Sequence, residues 1–102
     1  MEEIKMEAEW RTIQLFLEEY GVVETEMDYR NRKKIRCNCK DFSSLAKCKH
    51  VKFVRIELEK NNGAYSIKVP DDVDDDEAFE ALEDPDLFRK FIVKYGKVLV
   101  IK

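Results

Sequence analysis

Fourteen consecutive residues, Cys37 to His50, hold all three cysteines of the chain and its only histidine. They are spaced C-x-C-x8-C-x-H, with Cys37, Cys39, Cys48 and His50 as the chemically distinctive positions. Three thiolates and an imidazole match the donor set and ligand count of a closed tetrahedral zinc site, so these residues are candidate ligands for one structural Zn2+. Any fold for this chain must bring two short segments, eight residues apart, to a single point. A catalytic zinc keeps an open coordination position, whereas four protein ligands leave none. The H-x-E and P-C-x-x-C pattern of zinc deaminases is also absent. The expectation is therefore a scaffold and not an enzyme; the bland competitor is three free thiols and a surface histidine.

Flanking residues suggest how the ligands converge. Val22–Tyr29 and Lys34–Cys39 alternate in strand fashion around a turn at Arg30–Lys33, which predicts a β-hairpin leading into the first ligand pair. Residues i and i+2 of a strand point the same way, so Cys37 and Cys39 can face one ion. Positions i and i+2 of a helix diverge by about 200°. Cys48 and His50 are therefore expected in the turn that enters a helix, with Val51, Val54 and Leu58 on one face of Val51–Lys60. Val54, Ile56 and Leu58 also alternate as a strand would, with Asn62-Gly63 as a hairpin turn, so that alternative stays open.

At 102 residues the chain is the size of a single domain, for which a metal staple contributes useful stability. Met6, Trp10, Ile13, Leu17 and Tyr20 recur at steps of 4, 3, 4 and 3, with acids before them and Gly21 after. This predicts an amphipathic N-terminal helix over 1–21 whose stripe is core or, less commonly, a docking face. Tyr65, Ile67 and Val69 read as a strand ended by Pro70. Asp74 and Glu77 resemble a capping box opening a helix, and Asp84-Pro85 opens a second one that Gly96 ends. Val98–Ile101 reads as a closing strand, with Tyr65–Val69 as a plausible partner. Asp72, Asp74, Asp76 and Glu83 fall at calcium-loop spacing, but Glu77 stands where that loop needs glycine, so these acids are read as caps and solvated loop.

The run Ile35-Arg36-Cys37-Asn38-Cys39-Lys40-Asp41-Phe42 with Cys48-Lys49-His50-Val51 resembles the SWIM zinc finger, whose pattern is C-x-C-x-D-F followed by C-K-H-hydrophobic. The resemblance covers residues 22–60. It implies Cys37, Cys39, Cys48 and His50 as zinc ligands, Phe42 and Val51 as packing positions, and binding to DNA or to proteins. SWIM modules occur in transposase-like, chromatin-remodelling and ubiquitin-ligase contexts. Without the larger enzyme domains, this chain looks like an accessory protein of the kind that phages and mobile elements also carry. The expected fold class is α+β in one domain: a SWIM-like zinc-stabilised hairpin plus helix (22–60), an N-terminal helix (1–21), and an acidic helical extension with a closing strand (61–102).

The formal charge of −3 conceals segregation: residues 1–27 sum to −6, residues 28–60 to +7 and residues 61–102 to −4. Two basic groups flank the cluster, Arg30, Arg32, Lys33, Lys34 and Arg36 on the hairpin and Lys47, Lys49, Lys52 and Arg55 at the helix start. One reading is phosphate contact, weakly sequence-specific and steeply salt-dependent; the other is solvated lysines balanced by the acidic flanks. The partner is thus nucleic acid or another protein, with no small-molecule substrate expected. No run of about 18 apolar residues or secretory leader is visible, and three cysteines close no disulfide framework. A soluble protein of the cytoplasm or nucleus, with no membrane partner, is the expectation.

Overall fold

Residues 10–28 form a β-hairpin that organises the molecule. The computed structural model describes residues 8–101 and runs β1 (Trp10–Glu18), β2 (Gly21–Asp28), β3 (Ile35–Cys37), α1 (Lys40–Leu45), α2 (Lys49–Lys60), α3 (Asp75–Ala81), α4 (Pro85–Tyr95) and β4 (Val98–Leu99). The class is α+β, with one mixed four-stranded sheet in the order β3-β2-β1-β4. β1–β2 and β2–β3 are antiparallel, and β4 lies parallel to β1.

The expected N-terminal helix is a strand over Trp10–Glu18; Met6 lies outside the described residues. Glu18 pairs with Gly21 across a two-residue turn, Glu19–Tyr20, and Gly21 has φ +133°, a conformation that a side chain would strain. Burial hides the strand from pattern reading. All six residues from Arg11 to Phe16 are buried, so β1 is covered on both faces and its period of two is lost. The register also shifts between Thr12 and Gln14, a bulge at Ile13.

The hairpin into the ligands forms as expected, and Val51, Val54 and Leu58 are the buried face of α2. Phe16, wholly buried, stacks at 4.8 Å on the His50 ring and at 5.6 Å edge-on to Phe53. The core of the sheet and the ligand cluster are therefore continuous. α4 packs along β1, with Phe88 and Ile92 in the same core, so the acidic extension is part of the fold and not an appendage.

Both later helices start where Asp74 and Asp84 cap them, with Pro85 in the first turn of α4. The capping box does not close: Asp74 accepts the Asp76 N–H, whereas Glu77 accepts the Tyr95 hydroxyl at 2.6 Å and pairs with Lys94. Tyr65–Val69 is not a strand. Its one backbone link toward the final strand is Lys97 N–H to Lys68 O, and β4 pairs instead with Leu15 and Phe16. Gln14 explains the arrangement, since its amide donates to Lys97 O at 2.6 Å and accepts the Tyr65 hydroxyl at 2.8 Å. At Gly96 a Cβ would stand 2.5 Å from Ile92 O, so only glycine lets the chain leave α4 so closely.

Candidate metal centre

Cys37 is the last residue of β3, and the extended backbone continues through Cys39, the N-cap of α1. Cys48 is the N-cap of α2, and His50 lies in its first turn. Strand end and helix entry thus meet as the spacing required. The ligand atoms of Cys37, Cys39, Cys48 and His50 all lie within 4.8 Å of one another, with no disulfide among them. A tetrahedron with metal–sulfur arms of about 2.3 Å has edges of about 3.8 Å. The Cys37 Sγ to His50 Nδ1 separation of 3.7 Å already matches. These four residues could coordinate one metal ion.

The surrounding hydrogen bonds suit thiolates. The Phe42 N–H donates to Cys39 Sγ at 3.5 Å and the Val51 N–H to Cys48 Sγ at 3.4 Å. Cysteine sulfur thus occupies the N-cap role that Ser, Thr, Asp and Asn usually fill, and two helix starts direct N–H dipoles at the cluster. Phe42 packs half-buried against the core and Val51 is buried in it.

His50 is held from its other side. Its Nε2 lies 2.7 Å from Glu18 Oε1, at the end of β1, which leaves Nδ1 facing the sulfurs. Asp41, the one acid within the Cys37–His50 run, is exposed, and it is Glu18 that makes this contact. Lys49 first and then His50, by hydrogen bonding, hold the Glu18 carboxyl below its ordinary range. A carboxylate on the distal ring nitrogen fixes tautomer and orientation of a ligating histidine. Burial pushes the Cys37 thiol up to about 12, against the pull of the Cys39 amide, and raises Cys48 as well. Such thiols keep their protons until a cation compensates the charge.

The nine basic residues fall into three groups. Arg36 is paired with Glu26 at 3.1 Å and lies over the Trp10 ring, and Lys49 is paired with Glu18 at 2.9 Å. Arg55 donates to Lys33 O at 3.1 Å and Arg32 to Gly63 O at 2.8 Å, so the β2–β3 loop and α2 are tied around a shallow cleft lined by Arg32, Lys33, Arg55, Leu58, Glu59 and Gly63. Lys52 is exposed one turn before Arg55; Arg30, Lys34 and Lys47 are also exposed, and the Arg30 N–H donates to Asp28.

No helix among the described residues is long and apolar enough to cross a membrane. No protein-family model matches this chain, and neither a curated protein nor a solved structure matches it significantly.

Proposed function

We propose that the protein is a non-catalytic, zinc-binding recognition module of the SWIM type, whose basic surface beside the metal binds nucleic acid. The observation that carries this reading is the union of the metal cluster with the loop–α2 contact. The metal would fix β3 against the start of α2, the Arg55–Lys33 bond fixes the loop against the helix body, and the Arg32–Gly63 bond ties it to the turn that follows. Guanidinium groups that donate one N–H inward keep their charge and remaining donors for phosphate oxygens. Lys52, Lys33 and Lys34 extend the same surface as point charges. Zinc, when bound, supplies cross-linking and no reaction chemistry.

Anisotropy titrations of zinc-loaded protein against duplex DNA, single-stranded DNA and RNA at stepped salt test this reading. Expected are weakly sequence-dependent binding, a steep loss with salt, and a shallower salt slope for a Lys52→Glu/Arg55→Glu double variant. An Arg36→Ala variant, whose residue is already engaged by Glu26 and Trp10, should bind nearly as wild type. Absence of binding to all three at low salt would overturn it.

A protein-adaptor role is the second reading. It is favoured by Phe79 and Leu82, which are largely exposed amid the acids of α3 and its capping segment and would suit a partner with basic and apolar groups.

A further inference from the structure

Thr25 is wholly buried, and its hydroxyl has no hydrogen-bond partner among the described residues. It is the only buried side-chain oxygen or nitrogen described in that state. A buried hydroxyl without a partner is destabilising and calls for an explanation. Register supplies one. Thr25 sits in the middle strand of β3-β2-β1, directly opposite Gln14 on one side and Cys37 on the other. Gln14 is engaged elsewhere: its oxygen accepts the Tyr65 hydroxyl and its nitrogen donates to Leu15 O and Lys97 O. Cross-strand neighbours on one face have Cβ atoms about 4.5–5.5 Å apart, which brings the Cys37 sulfur within reach of the hydroxyl.

We infer that Thr25 is a positioning residue for the metal centre, its hydroxyl reserved as a donor to the metal-bound thiolate of Cys37. This rests on the four-ligand reading and goes beyond it. A thiolate on a metal is a charged acceptor and takes a short, strong bond, which would satisfy this hydroxyl. With Thr25 counted, every ligand has a partner outside the cluster: Thr25 for Cys37, the Phe42 N–H for Cys39, the Val51 N–H for Cys48 and Glu18 for His50. Hydrogen bonding draws electron density from sulfur, which lowers its nucleophilicity and raises the energy of its charge transfer to a metal.

Cobalt(II) is the probe. Wild type, Thr25→Val and Thr25→Ser are titrated with Co(II) in competition with a chelator, the sulfur-to-cobalt charge-transfer band is recorded, and alkylation of the loaded proteins by iodoacetamide is mapped by mass spectrometry. The valine variant keeps the volume and loses the donor; it should bind Co(II) about tenfold more weakly, shift the band to longer wavelength and alkylate faster at Cys37. Serine should restore affinity and band. A purely packing role would weaken binding without moving the band. A Thr25→Val protein with wild-type band and Cys37 reactivity overturns the assignment and leaves the metal centre standing. Wild type that takes up no Co(II) overturns both.

Discussion

Glu18 is 32 residues from His50 in the chain and 2.7 Å from it in the fold. A carboxylate in that position is expected to raise metal affinity ten- to a hundredfold. Competition against a chromophoric chelator should show that loss for Glu18→Ala and a smaller one for Glu18→Gln, whose amide oxygen still accepts but carries no charge; an alanine variant with unchanged affinity would refute the role. The four candidate ligands were legible in sequence because they fall within fourteen residues and exhaust the chain's Cys and His. Glu18 was not, since its approach depends on β1 being a strand that ends beside α2. Asp28 acts by the same kind of distant closure. It is buried, and its Oδ1 accepts the Arg30 N–H at 2.9 Å and the Glu9 N–H at 3.1 Å, bonds that hold its carboxyl below the ordinary value. The folded pKa is depressed, so the charged form's contribution is full above the unfolded value of about 3.9 and fades as pH falls through the folded one. Urea titrations should therefore find Asp28→Asn less stable than wild type near pH 6, with the gap closing below about pH 4. A gap that persists at low pH would mean that shape, and not charge, matters there.

Elements were readable where one face meets solvent. α2 and α4 show their buried stripes at helical spacing, and Asp74, Asp84 and Pro85 mark helix starts that the structure keeps. β1 defeats the same reasoning, because burial on both faces admits Arg11, Thr12 and Gln14 alongside Ile13, Leu15 and Phe16. What remained to be read were its β-branched and aromatic residues, Thr12, Ile13, Trp10 and Phe16, and a glycine after a two-residue turn. α1 escaped for the opposite reason: it is six residues long, buries none of them, and is defined by its Cys39 cap and the left-handed Ala46 that ends it. Gly96 looked like a helix stop and is one, but through contact and not through φ, which is −62°. Gly96→Ala would drive a Cβ against Ile92 O and Ile92 Cγ2 at the point where α4 turns into β4. Denaturant unfolding should register a loss of about 1–3 kcal/mol, as for other overpacking changes. A neutral result would mean that β4 swings away at no cost and is not needed to close the sheet.

Across the whole molecule the charge segregation is partly resolved by pairing, and three of the pairs use acids of the sheet. Lys49 meets Glu18, Arg36 meets Glu26, and Arg89 of α4 meets Glu24. Solvent-screened pairs of this kind contribute little stability. What joins the two halves is the core through Phe16 and the cluster through its four ligands. Those two links differ in what they need. β1, β2 and α4 share Phe16, Val23, Phe88 and Ile92 in the core, whereas α1 has no fully buried side chain and meets the fold through its Cys39 cap and the half-buried Phe42. Removing a bound metal would leave two buried thiols and a half-buried one in place of a neutralised centre and release β3 from α2. Each kcal/mol is worth about 4–8 °C in a domain of this size, so a centre contributing only about 2 kcal/mol should lower the melting midpoint by about 10 °C on chelation. Hydrogen exchange should then resolve where the loss falls: amides of α1 and the first turn of α2 exchange fastest, and those of β1 and β2 are the last to lose protection. Uniform loss would mean that the sheet cannot stand without the metal and the protein folds only when loaded. An unchanged melt and exchange pattern would remove the metal from any structural role.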